Sequence, residues 1–101
     1  MYRLRSDWET KMLVAMVCYN DGVIPPKEFA QRCSHIFQND AMNNPNDPIT
    51  NVLFKMGSQI AARYNPDPGV TEHDLFAMGD AGLKKLVLET KEQITRARSR
   101  K

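Results

Sequence analysis

Two cysteines and two histidines, Cys18, Cys33, His35 and His73, are the side chains of this 101-residue chain with the chemistry to hold a metal or attack a substrate. A tetrahedral centre needs them to converge. Cys33 and His35 are two residues apart, so a helix points them to different sides, and Cys-x14-Cys is not a zinc spacing. The expectation is a pair of buried thiols acting as small core residues, with two histidines on the surface. A disulfide between Cys18 and Cys33 would cross a helical hairpin at unequal depths, about 7 Å apart at a rise of about 1.5 Å per residue. An unstrained bridge is therefore not expected.

Glu72-His73-Asp74 is the most interesting titratable cluster, because two carboxylates raise a histidine's pKa and keep it protonated near neutrality. Its position on the exposed first turn of a short helix favours a structural role. Ser34 beside His35 is adjacency in sequence without the geometry of a nucleophile and its base, and no Gly-x-Ser-x-Gly elbow is present. Asn65-Pro66-Asp67-Pro68-Gly69 alternates oxygen donors, but glycine stands at the third ligand position of a calcium loop and Phe76 at its bidentate glutamate. The five glycines form no Gly-x-Gly, so no phosphate-cradling loop is expected. These readings predict no catalytic residue, no metal and no cofactor; the chain reads as a protein that is not an enzyme.

Binding chemistry is better represented. Residues 91–101 carry Lys91, Arg96, Arg98, Arg100 and Lys101 against the single acid Glu92, a net +4 that leaves residues 1–90 at net −2. Such a patch, extended along the last helix by Lys84 and Lys85, could contact several phosphates and would then bind nucleic acid with a steep salt dependence. It lacks aromatic side chains to stack on bases. The competing reading is that these cations complement a helix dipole and solvate the chain end.

Five internal methionines, Met12, Met16, Met42, Met56 and Met78, are many for a chain of this size. Thioethers adapt to irregular cores and irregular partners alike. Four fall in helical stripes and are expected in the core. Met42 lies instead in Asn39-Asp40-Ala41-Met42-Asn43-Asn44-Pro45-Asn46, a run of turn-forming residues with no other large apolar side chain. Loops of this length in small domains are commonly functional or disordered.

The elements that position these residues read as helices throughout. Ser6 and Glu9 have the spacing of a capping box, which opens a first helix at Asp7. Residues 12–19 are apolar on every face, and this predicts that the first helix is central and the most buried. Asn20-Asp21-Gly22 ends it, and Pro25-Pro26 starts a second helix to about Gln38. There Phe29, Cys33, Ile36 and Phe37 form the inner stripe, while Glu28, Gln31, Arg32 and His35 share the outer face.

Asp47-Pro48 caps a third helix, with Ile49, Val52, Leu53, Met56, Ile60 and Tyr64 as its stripe and Gly57 and Ala61 allowing close approach. After Asn65-Pro66-Asp67-Pro68-Gly69, Thr71 is expected to cap a short helix through Leu75, Phe76 and Met78. A break at Gly79-Asp80-Ala81-Gly82 precedes a last helix to about Ala97.

Gln59-Ile60-Ala61-Ala62-Arg63-Tyr64 followed by Gly69-Val70-Thr71-Glu72-His73-Asp74-Leu75 resembles a helix-turn-helix rhythm, and also the middle of a LysM repeat. Asn65-Pro66-Asp67-Pro68 stands where either family needs a tight turn. A recognition helix opening Glu72-His73-Asp74 would present carboxylates to phosphates, and LysM needs flanking strands that the pattern lacks. Neither family is assigned.

The expected architecture is all-α, a compact single-domain bundle of four to five helices over residues 1–97 with a frayed basic tail at 98–101. With 42% apolar and 26% charged residues the composition is that of a globular domain. Arg3, Arg5 and Asp7 interrupt any signal peptide, and the longest apolar run is too short for a membrane span. Scarce cysteine fits a reducing, cytoplasmic setting. The function expected is binding of a macromolecular partner in a regulatory, inhibitory or assembly role of the phage or mobile-element accessory type. The contact residues expected are Arg32, His35, Met42, Asn43 and Asn44, with a protein as partner and a homo-oligomer as a further form. The alternative is a nucleic-acid-binding accessory protein using Lys84, Lys85, Lys91, Arg96, Arg98, Arg100 and Lys101.

Overall fold

A computed structural model describes residues 7–44, 46–73 and 76–99, without the side chains of Pro68, Thr71 and Glu72. Five helices follow one another among these residues: α1 (Asp7–Asn20), α2 (Pro26–Asn39), α3 (Pro48–Arg63), the short α4 (Pro68–His73) and α5 (Asp80–Ser99). Consecutive long helices run up and down. The end of α1 meets the start of α2 where Tyr19 stacks on Phe29, 4.6 Å between ring centroids. The end of α2 meets α3 where Phe37 packs edge-on against Phe54, and the end of α3 meets α5 where Tyr64 donates to Asp80.

The turns follow from residue type. Gly22 takes a φ of +76°, and the amides of Gly22 and Val23 return to the carbonyls of Tyr19 and Cys18. This left-handed glycine cap closes the last turn of α1. Pro25 and Pro26 then open α2, where a missing amide hydrogen costs nothing. Asp47 caps α3 by accepting from the Ile49 amide at 3.0 Å and the Thr50 amide at 3.3 Å.

Met12, Phe29, Cys33, Leu53, Met56, Ile60, Leu83 and Val87 form the sealed centre of the core. Met16 and Met78 are buried beside them, whereas Met42 is 76% exposed. Fully burying a side chain of this size contributes about 1.5–3 kcal/mol. Close approach is made possible by Gly57, where an added Cβ would sit 2.9 Å from Met12 Cε and 3.1 Å from Phe37 Cβ. Thr90 is accommodated because its hydroxyl donates to the Leu86 carbonyl of its own helix. The radius of gyration, 13.7 Å, is near the about 13 Å of a folded chain this long.

Four expectations need correction. The first helix is not sealed on all sides: α1 buries Trp8, Glu9, Met12, Ala15 and Met16, but Val14 and Val17 remain more than half exposed. The central positions belong to α2 and α3, which pack against each other and each against α1 and α5. The short helix starts at Pro68, so Thr71 lies inside it and does not cap it, and Phe76 and Met78 fall outside it. Proline is suited to a first helical turn, and Asp67 just before it accepts from the Gly69 amide. Met78 instead pairs with Tyr64 in a single parallel β-bridge. Finally, α5 continues through Arg98 to Ser99, where the Ser99 hydroxyl donates to the Thr95 carbonyl. Ser6, Leu75, Arg100 and Lys101 lie outside the described residues.

Candidate functional site

The outer face of α1 is built by helical repetition. Thr10, Val14 and Val17 recur at i, i+4 and i+7 and therefore lie along one line of the helix surface. Val14 is 53% and Val17 58% exposed. Covering each would contribute about 1 kcal/mol, half or so of the gain from fully burying such a side chain.

A groove runs along each side of the ridge. Between α1 and α2 a cavity of about 340 Å³ has Val14, Ala15 and Ile36 as its apolar floor and Lys11, Arg32 and His35 on its rim. Between α1 and α5 a second cavity of about 290 Å³ is floored by Leu13, Met16, Val17 and Ile94 and rimmed by Lys91, Arg98 and Asp21. No acidic side chain lines the first groove among the described residues, and Asp21 is the acid of the second. Arg32 is held at its rim by Glu28, 2.7 Å away along α2. The Asn39 amide donates to the His35 carbonyl at 2.9 Å and faces the ring nitrogen Nδ1 at 3.2 Å, which fixes the imidazole.

Arg32 and His35, expected as contact residues, thus come together over one groove. Met42, Asn43 and Asn44 do not line it. Met42 and Asn43 are exposed in the loop after α2, and Asn44 serves the turn, accepting from the Asp47 amide through its carbonyl and from the Asn46 amide through its side chain. The cations of α5 divide between two faces. Lys84, Lys91 and Arg98 repeat every seven residues on one face, with the 51% exposed Leu88 between the first two. Lys85 and Arg96 share their face with Glu89 and Glu92. Lys11, Val14 and Val17 were not among the expected contact residues. The signal for them was the all-round apolarity of α1, which exceeds what the surrounding helices cover.

Burial governs the titratable groups packed into the fold. Burial pushes the Cys33 thiol up to about 12, leaving it protonated and without nucleophilic character. Cys18 is half-buried, and both thiols are free. Partial burial raises the Tyr64 phenol above the usual tyrosine range, and so do its hydrogen bond to Asp80 and the charge of that carboxylate. Tyr64 belongs to a clasp on the 64–78 excursion. There Met78 donates to the Arg63 carbonyl, Asn65 donates to the Met78 carbonyl, and Arg63 Nε donates to the Phe76 carbonyl with its guanidinium 5.3 Å from the Phe76 ring. His73 is exposed at the end of α4; the Glu72 side chain and Asp74 lie outside the described portion.

Among the described residues, no three His, Cys, Asp or Glu side chains converge as a metal site, and no helix is long and apolar enough to cross a membrane. Comparison with protein-family models, with curated proteins and with solved structures finds no match to this chain.

Proposed function

We propose that this protein is a non-enzymatic binding domain that docks a protein partner on the outer face of α1, in a regulatory, inhibitory or assembly role. The observation that carries the reading is the exposure of Val14 and Val17 on a helix flanked by two apolar-floored grooves. Recognition of a partner by an apolar strip with a polar rim is the usual anatomy of such contacts. From Thr10 to Val17 the ridge spans about 10 Å of the 14-residue helix α1, which suits a modest, reversible interface.

Affinity purification with the intact chain and with Val14→Asp and Val17→Asp tests this. The variants change exposed positions and should keep the helical circular dichroism and melting temperature of the parent. A stoichiometric partner retained by the parent and lost by both folded variants is the expected outcome. Equal recovery by all three would remove the basis of the reading.

A second reading, nucleic-acid binding along α5, is supported by the seven-residue repeat of Lys84, Lys91 and Arg98 on one exposed face. It predicts binding to DNA or RNA that weakens steeply with salt, and that falls when these three are replaced by glutamine.

A further inference from the structure

The rims of the two grooves are more specific than their floors. Building on the α1 reading above, we infer that the occupant of this face is an acidic, amphipathic helical segment of a partner protein, with apolar anchors about two turns apart and carboxylates flanking them.

Charge complementarity argues for the acid. Lys11, Arg32 and His35 border one side of the valine ridge, and Lys91 and Arg98 the other. Acids on or beside these rims include Asp7, one turn before Lys11 on the same face of α1. Asp21 lies at the end of the second groove. Glu28 engages Arg32, but in a pair whose side chains are both nearly half exposed, and such pairs exchange partners at little cost. Carboxylates arriving between these rims meet cations from both sides, and a basic segment would meet repulsion from Lys11 and Arg32 on one side and from Lys91 and Arg98 on the other.

The floors argue for a protein over a nucleic acid. Aliphatic side chains neither contact phosphate nor stack on bases, and stacking platforms are aromatic. The aromatic residues near this face are used elsewhere: Trp8 is buried, and Tyr19 and Phe29 stack on each other. Spacing then sets the anchors. The two grooves are separated by the body of one helix, about 10 Å across, which is the distance between side chains seven residues apart on a helix crossing α1.

The test is a titration of the isotopically labelled full chain, followed by NMR, with synthetic peptides and an oligonucleotide. One helical peptide carries two leucines seven residues apart among glutamates; a second replaces its glutamates with lysines; a third replaces its leucines with serines; the last probe is single-stranded DNA. The glutamate–leucine peptide is expected to shift the amides of Lys11, Val14, Val17, Arg32, Ile36 and Lys91. Its affinity should exceed that of the other two peptides by about tenfold or more, and should fall in Arg32→Ala and in Lys91→Ala as well as in Val14→Asp. If the lysine peptide binds the same amides equally well, the acidic assignment fails while the α1 reading stands. If no peptide perturbs α1, both fail. Preferential perturbation of these amides by DNA, or their concentration-dependent shift without any ligand, would overturn the proposal in favour of a nucleic acid or a second copy of the chain.

Discussion

Thr50 and Glu9 meet across 41 residues of chain: the Thr50 hydroxyl donates to the Glu9 carboxylate at 2.6 Å, and both side chains are buried. Glu9 lies in the first turns of α1 and Thr50 in the first turn of α3, so the bond fixes the start of one helix against the start of the other. The N-terminus of α3 also supplies the positive end of a helix dipole to that carboxylate.

Thr50→Val should therefore destabilise the fold. The valine keeps the volume but removes a donor to a buried charged group, a loss of about 1.5–3 kcal/mol. Urea unfolding monitored by circular dichroism measures it. A change within a few tenths of a kcal/mol would mean that the bond contributes nothing net.

Gly57→Ala is a substitution with two opposed terms. Alanine improves the helix by about 1 kcal/mol, but its Cβ would press on Met12 Cε and Phe37 Cβ, and overpacking costs about 1–3 kcal/mol. Met12 is the end of a flexible chain and can yield, whereas Phe37 Cβ moves only with α2. The expected result is a loss of up to about 2 kcal/mol in urea unfolding. A gain would show that α2 and α3 are less tightly apposed than the 3.1 Å approach requires.

Stability should fall on the alkaline side. Cys33 has its pKa raised on folding from 9.0 to about 12, so the unfolded chain releases this proton first. The stabilisation is fully present below pH 9 and is lost as pH rises toward 12, with a slope of up to about 1.4 kcal/mol per pH unit. The Tyr64 phenol, also raised, adds a decline of the same sign above pH 10. In Cys33→Ala the decline between pH 9 and 10 should flatten; an unchanged slope would place its origin in another group. In the folded parent at neutral pH, a thiol reagent should modify Cys18 well before Cys33.

How far the chain could be read from its sequence depended on whether the signal was local. Gly22, Pro26 and Asp47 act through their own backbone geometry or a cap within three residues, and each lies where its chemistry requires. The periodic stripes of α2 and α3 likewise found the core. The errors lie where partners are distant. All-round apolarity in α1 predicts complete burial, but helix count and topology decide how many neighbours a helix obtains, and α1 obtains too few to cover Val14 and Val17. Threonine, a good cap, predicts a start of α4 at Thr71, yet Pro68 is equally suited to a first turn, and the helix begins there. Met78 looked helical by spacing, and its bridge to Tyr64 depends on a chain reversal that no short window contains. At the candidate site, Arg32 and His35 were legible as the outer face of an amphipathic helix. Lys11 and Lys91 were not, since their meaning comes from which helices border α1.

Site-specific photo-crosslinking tests the central claim most directly. A photoreactive side chain replaces Val14 in one variant and Val70, an exposed valine on α4, in another; each is irradiated in the presence of the purified partner or of the acidic leucine peptide. The account predicts a covalent adduct from position 14 that is suppressed by high salt, and none from position 70. Adducts from position 70 with none from position 14 would contradict docking on α1.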